Sequence, residues 1–103
     1  MATAATQMVY SHITKRPAVR GGKACIDDTR IAVVDIAALL EADKTVDEML
    51  VAYPSLNKAQ IHAAISYYYE NREEIEAIFA ADELAEAEYE RRRAEHLARQ
   101  TAE

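Results

Sequence analysis

The stretch TVDEMLVAYPSLNKAQI, Thr45 to Ile61, constrains this chain most tightly, because it holds two helix starts and a helix stop in a short span. Thr45 with Glu48, and Asn57 with Gln60, have capping-box spacing. In such a box the first side chain accepts the amide three residues on, and the later side chain reaches back to the first amide. Val46, Met49, Leu50 and Tyr53 fall on one side of a short helix. Pro54 ends that helix by driving Tyr53 out of helical geometry. Leu56, just before the second cap, is placed to staple onto Ile61, so a further helix begins at Lys58. Ile61, Ala64, Ile65 and Tyr68 continue its apolar face. Two capped helices joined by a turn of about three residues have the spacing of a helix-turn-helix unit.

Upstream, Asp35 is expected to cap IAALLEAD, in which Ile36, Leu39 and Leu40 share one face. Before it, two strand-like pieces, HITKRPAV and TRIAVV, flank RGGKACIDD, where Gly21 and Gly22 supply backbone freedom. They predict a small two-stranded ribbon, which must lean on the helices or pair with a second copy. Beyond Arg72 neither proline nor glycine occurs through Glu103, and strong helix formers predict one long helix. Its apolar residues thin out after Ile75, Ile78 and Phe79, leaving Leu84, Tyr89 and Leu97 scattered with no sustained apolar heptad. Such a helix either protrudes or folds against a partner. The expected fold is mainly α: a three-helix helix-turn-helix core with an N-terminal two-stranded ribbon and a long C-terminal helix. Residues 1–10 are expected to form a disordered lead, 11–75 the ribbon and helix-turn-helix domain, and 76–103 a charged helical tail.

A chain of 103 residues supports one domain with appendages. Its net charge of -6 argues against a general nucleic-acid coat or membrane-surface protein. The charge is uneven, however. Residues 1–35 carry five Lys/Arg against three Asp/Glu, whereas residues 71–103 carry five against ten. A basic patch on the front half can still meet phosphates on one face. With a single cysteine there is no internal disulfide, and no apolar run is long enough to span a membrane. The opening MATAATQMVY lacks the order of a secretory signal, so the protein is expected in the cytoplasm.

An enzyme is not expected. Cys25 has no histidine tied to it by spacing, since His12, His62 and His96 lie in the ribbon, the third helix and the tail. No His/Cys cluster has metal-ligand spacing, and RGGK lacks the rest of a phosphate-binding loop, so no cofactor is called for. The candidate DNA-binding set is Lys15, Arg16, Arg20, Lys23 and Arg30 in the ribbon, with Lys58 and His62 on the third helix. In a dimer the ribbon charge doubles on one assembly. In the tail, Arg91, Arg92 and Arg93 sit among glutamates and offer planar forks that suit carboxylates.

The order of motifs from His12 to Ile75 resembles the domain of unknown function 433 family. His12 and Ile13, Gly22 and Lys23, Thr29 to Ile31, Val33 and Ile36, Tyr53, Pro54 and Leu56, and Ala64 with Tyr67 or Tyr68 fall at the family's positions. The chain departs from it at Ala24 and Ala32, where the family usually has proline, and at Asp28, where it has glycine. Aspartate tolerates a left-handed backbone, so the fold is expected to survive that change.

The resemblance implies a homeodomain-like helix-turn-helix unit and the role of antitoxin to a PIN-like ribonuclease toxin. It also implies a homodimer that binds operator DNA and represses its own operon. The toxin would then be met by the tail, with Ile78, Phe79, Tyr89, Arg91, Arg92 and Arg93 as candidate contacts. PIN-like nucleases resemble one another in clustering carboxylates around Mg²⁺, which an arginine fork from the tail would fill. The alternatives are an interaction adaptor with no DNA role and a stand-alone DNA-binding regulator.

Overall fold

A computed structural model describes residues 10–101 of the chain. The expected disordered lead lies outside the described residues apart from Tyr10. That residue is half-buried, edge-on to Tyr67 at 4.7 Å between ring centroids, and belongs to the body.

The ribbon consists of β1 (Ile13–Lys15) and β2 (Ala24–Ile26), paired antiparallel with Ile13 opposite Ile26, Thr14 opposite Cys25 and Lys15 opposite Ala24. A single turn of 3-10 helix at Arg20–Gly22 reverses the chain between them, and Arg20, Gly21 and Gly22 all take positive φ (53°, 68° and 85°). The two glycines accept that backbone without a Cβ clash. Arg20 does not, and it is held there by its guanidinium, which donates to both carboxylate oxygens of Asp35 at 2.8 and 3.3 Å.

The expected second strand, TRIAVV, is corrected: β2 lies in the segment read as the connecting loop. TRIAVV contributes only one bridge, Ala32 to Cys25. The reason is Asp35. Its carboxylate accepts the Ala32 amide at 3.0 Å from the third helical position, so α1 (Val33–Glu41) starts three residues earlier than expected. Ala32 is the N-cap, and Asp35 serves as the back-reaching partner. Val33 and Val34 are thereby wound into a helix and buried with Ile36 and Ala37.

The other end of α1 closes with the Lys44 amide on the Leu39 carbonyl and the Asp43 amide on that of Leu40, both at 3.0 Å. Asp43 is left-handed there at φ 63°. This is a Schellman closure with aspartate where glycine is usual. Both expected capping boxes are present, at 2.8 to 3.1 Å, and open α2 (Val46–Ala52) and α3 (Lys58–Glu70). Between the caps Tyr53 and Asn57 the turn is Pro54, Ser55 and Leu56, the last of which is buried. After Asn71 the chain continues as α4 (Arg72–Thr101).

α3 is the central element: α1, α2, β1 and α4 all touch it. Ile36, Met49, Ile61, Ala64, Tyr68 and Ile75 meet in the core with the whole of β2. Tyr67 and Tyr68 keep their hydroxyls satisfied by donating to Glu74 at 2.8 Å and Glu41 at 2.6 Å. The fold is thus mainly helical, with a two-stranded ribbon leaning on the helices and a long terminal helix whose far half runs on in solvent.

Candidate functional site

The ribbon cations divide into two groups. Lys15 pairs with Glu74 at 3.2 Å, tying β1 to α4. Arg16 donates to the Thr29 carbonyl at 2.6 Å and lies 4.0 Å from Asp28, bracing the turn after β2. Arg20 donates to Asp35 and to the Arg30 carbonyl, and its charged form is favoured chiefly by the Asp35 hydrogen bond. All three do structural work. Lys23 is half-buried and donates to the Arg20 carbonyl at 3.4 Å. Arg30 and Lys58 are exposed, and neither side chain has an ion pair among the described residues; His62 is exposed on α3. The cations available to an outside anion are therefore fewer than the seven read from the sequence. Lys58 holds the first helical position of α3, where free amides also favour anions.

The sequence reading missed a polar cluster around Asp27. Its carboxylate accepts from Gln60 at 2.7 Å and lies 2.9 Å from His12 Nδ1. The Gln60 hydrogen bond, then that of His12, holds this carboxyl below the usual aspartate range. His12 and Asp27 both take left-handed backbone, and the Asp27 amide donates to the His12 carbonyl at 2.7 Å. The left-handed residue of this turn is thus Asp27, next to the Asp28 position picked out from the sequence. The cluster clips the ribbon to the start of α3. Gln60 is engaged twice, in its cap and here, so its side-chain amide is not free for an outside ligand.

On α4, Ile78 and Phe79 are half-buried and pack against the core, which leaves a partner only their outer edges. Tyr89 is 65% exposed. Arg91 pairs with Glu88 and Glu95, Arg92 with Glu88, and Arg93 lies 4.0 Å from Glu90. Pairs of this kind on an open helix contribute well under about 1 kcal/mol each, so a partner carboxylate can displace them. Beside the body, α1 and α4 bound a groove of about 410 Å³ lined by Ala38, Glu41, Phe79, Asp82, Glu83 and Glu86.

Comparison with known proteins covers the front of the molecule. A family model described as "Protein of unknown function (DUF433)" matches residues 13–68, from the first residue of β1 to the inner tyrosine of α3. The chain belongs to the DUF433 family. The crystal structure of a DUF433 member protein from Anabaena variabilis ATCC 29413 superposes with a TM-score of 0.64 at 36% sequence identity, covering 68% of this chain and 69% of that one. The uncharacterized protein y4eO of Sinorhizobium fredii (strain NBRC 101917 / NGR234) is 38% identical over 55 residues, which are 53% of this chain and 25% of y4eO. The chain thus corresponds to about a quarter of that relative. The shared family region ends before α4, so the long helix and its arginines lie outside it.

Proposed function

We propose that the chain is the antitoxin of a toxin-antitoxin pair. Its DUF433 head binds operator DNA as a homodimer and represses its own operon, and α4 neutralises a PIN-like ribonuclease toxin. The observation that carries this reading is the division of the molecule. The core is complete at Ile75, with Ile78 and Phe79 against its rim, yet α4 continues to Thr101 with Leu84 and Tyr89 exposed and three arginines in sequence. A helix that buries so little of itself is suited to a partner's surface. The head supplies the helix-turn-helix geometry, with Lys58 at the start of α3 and His62 one turn on. The chain's part is binding, with no catalysis of its own.

The test is co-expression with whatever small nuclease the neighbouring reading frames encode. The full chain is expected to be recovered with the nuclease and to restore growth, and deletion of residues 87–103 is expected to lose both effects. Arg91, Arg92 and Arg93 replaced together by alanine should free the nuclease; unchanged inhibition would discard the arginine contact.

A second reading, an interaction adaptor with no DNA role, is favoured by one observation: Lys15, Arg16 and Arg20 are engaged within the fold. Titration with operator DNA at several salt concentrations separates the two. A dimer touching phosphates through Lys23, Arg30 and Lys58 of each protomer gives a log-log salt slope of about -5, which Lys58→Ala makes shallower by about 2. An adaptor shows no operator preference at any salt.

A further inference from the structure

One face of α4 has a charge order that fits the same face of another copy. Phe79, Asp82, Glu86, Tyr89, Arg93 and His96 follow one another at alternating steps of three and four, so they lie along a single stripe of the helix. The stripe begins at the core rim with Phe79, where Asp82 and Glu86 also line the groove against α1. It then leaves the body as Tyr89, Arg93 and His96, all exposed. It is acidic before Tyr89 and basic after it, with Glu90 at its edge lying 4.0 Å from Arg93. Glu88 and Glu95, which would blur that order, lie on the other side of the helix and are paired with Arg91 and Arg92.

We propose that this face pairs with the same face of a second copy, α4 against α4 in antiparallel sense about a twofold axis at Tyr89. In that register Tyr89 meets Tyr89 of the other copy, Glu86 meets Arg93 as an ion pair, and Asp82 meets His96 as a hydrogen-bond partner, the last two pairs each occurring twice. The C-terminal half of one helix then lies along the α1–α4 groove of the other molecule, over Ala38 and Phe79. A parallel arrangement sets Asp82, Glu86 and Arg93 each against its own kind and is disfavoured by like-charge repulsion. The heptad here is carried by charge with a tyrosine at its centre, so the association is specific without an apolar seam. The inference rests on the homodimer of the proposed function and gives it an interface.

Sedimentation velocity of the purified full-length chain over a range of concentrations tests it. The chain is expected to dimerise, and Glu86→Arg or Arg93→Glu alone should raise the dimer dissociation constant about tenfold or more, because each places two like-charged pairs in the interface. Both changes in one chain should restore the dimer, and so should mixing the two single variants, in which every pair is again opposite. All these positions are solvated, and circular dichroism will show the helix retained. Tyr89→Cys is expected to form an intermolecular disulfide at the axis, the native Cys25 being buried in β2. A chain that stays monomeric overturns both the interface and dimeric repression. A dimer indifferent to the reversals overturns the α4 interface alone.

Discussion

Asp27 gathers three separated parts of the chain: its carboxylate holds Gln60 and His12, and its carbonyl accepts the Thr14 hydroxyl at 2.7 Å. Because its folded pKa is lowered, the stability it contributes is fully present above the unfolded aspartate value of about 3.9 and is lost as the pH falls through the lower folded value. Asp27→Asn should therefore flatten the loss of stability below about pH 4 in acid-titrated thermal melts. At neutral pH its cost should stay near about 0.5 kcal/mol, since the side chain is 40% exposed. Glu48, held low by the Thr45 amide, has the same sign and leaves a residual acid slope in the variant. Asp43 gives the opposite kind of test. At φ 63° it fills the glycine position of a helix closure, and Asp43→Gly should raise stability by about 0.5 to 1 kcal/mol in urea melts. Neither residue announces its role in sequence. The pairing of Asp27 with Gln60 spans 33 positions and depends on where α3 docks, which no local pattern encodes.

The helices were readable because their signals are local. Thr45, Glu48, Asn57 and Gln60 satisfy amides within three residues of themselves, so the text alone locates α2 and α3. The second strand was not readable, because Val33 and Val34 favour strand by type while Asp35 recruits them into α1 through one hydrogen bond. β2, only three residues long, is defined by burial on all sides and has no alternation to betray it. The caps have measurable weight: Asn57→Ala should cost about 1 kcal/mol, read as a shift in the urea midpoint with unchanged slope. α4 divides in the same terms. Deleting residues 87–103 removes no buried residue among the described ones and should leave the melting temperature of the monomer nearly unchanged. Ending the chain after Asn71 removes buried Ile75, half-buried Ile78 and Phe79, and the Glu74 partner of Lys15 and Tyr67, and should cost about 2 to 5 kcal/mol or more.

Across the whole molecule, the DUF433 head is a closed structure and α4 is open, and the two proposed associations share Tyr89 and Arg93. The stripe through Glu86, Tyr89 and Arg93 is proposed to hold a second copy, and Tyr89 with Arg91, Arg92 and Arg93 is proposed to hold the nuclease. One arginine cannot donate its fork to two carboxylate clusters at once, so the nuclease and the second copy compete. On the proposed function operator affinity depends on dimerisation, because two heads with few free cations each reach a palindrome only when linked. Titrating the nuclease into an operator complex should therefore release DNA in step with the loss of the α4 dimer, followed by fluorescence anisotropy of the DNA and by sedimentation of the protein. Arg93→Glu should lose dimer, tight operator binding and neutralisation together. Ala77→Gln, exposed on α4 well before the arginines, should lose none of them. Operator binding that survives the nuclease undiminished would mean that the two partners occupy different faces of the helix.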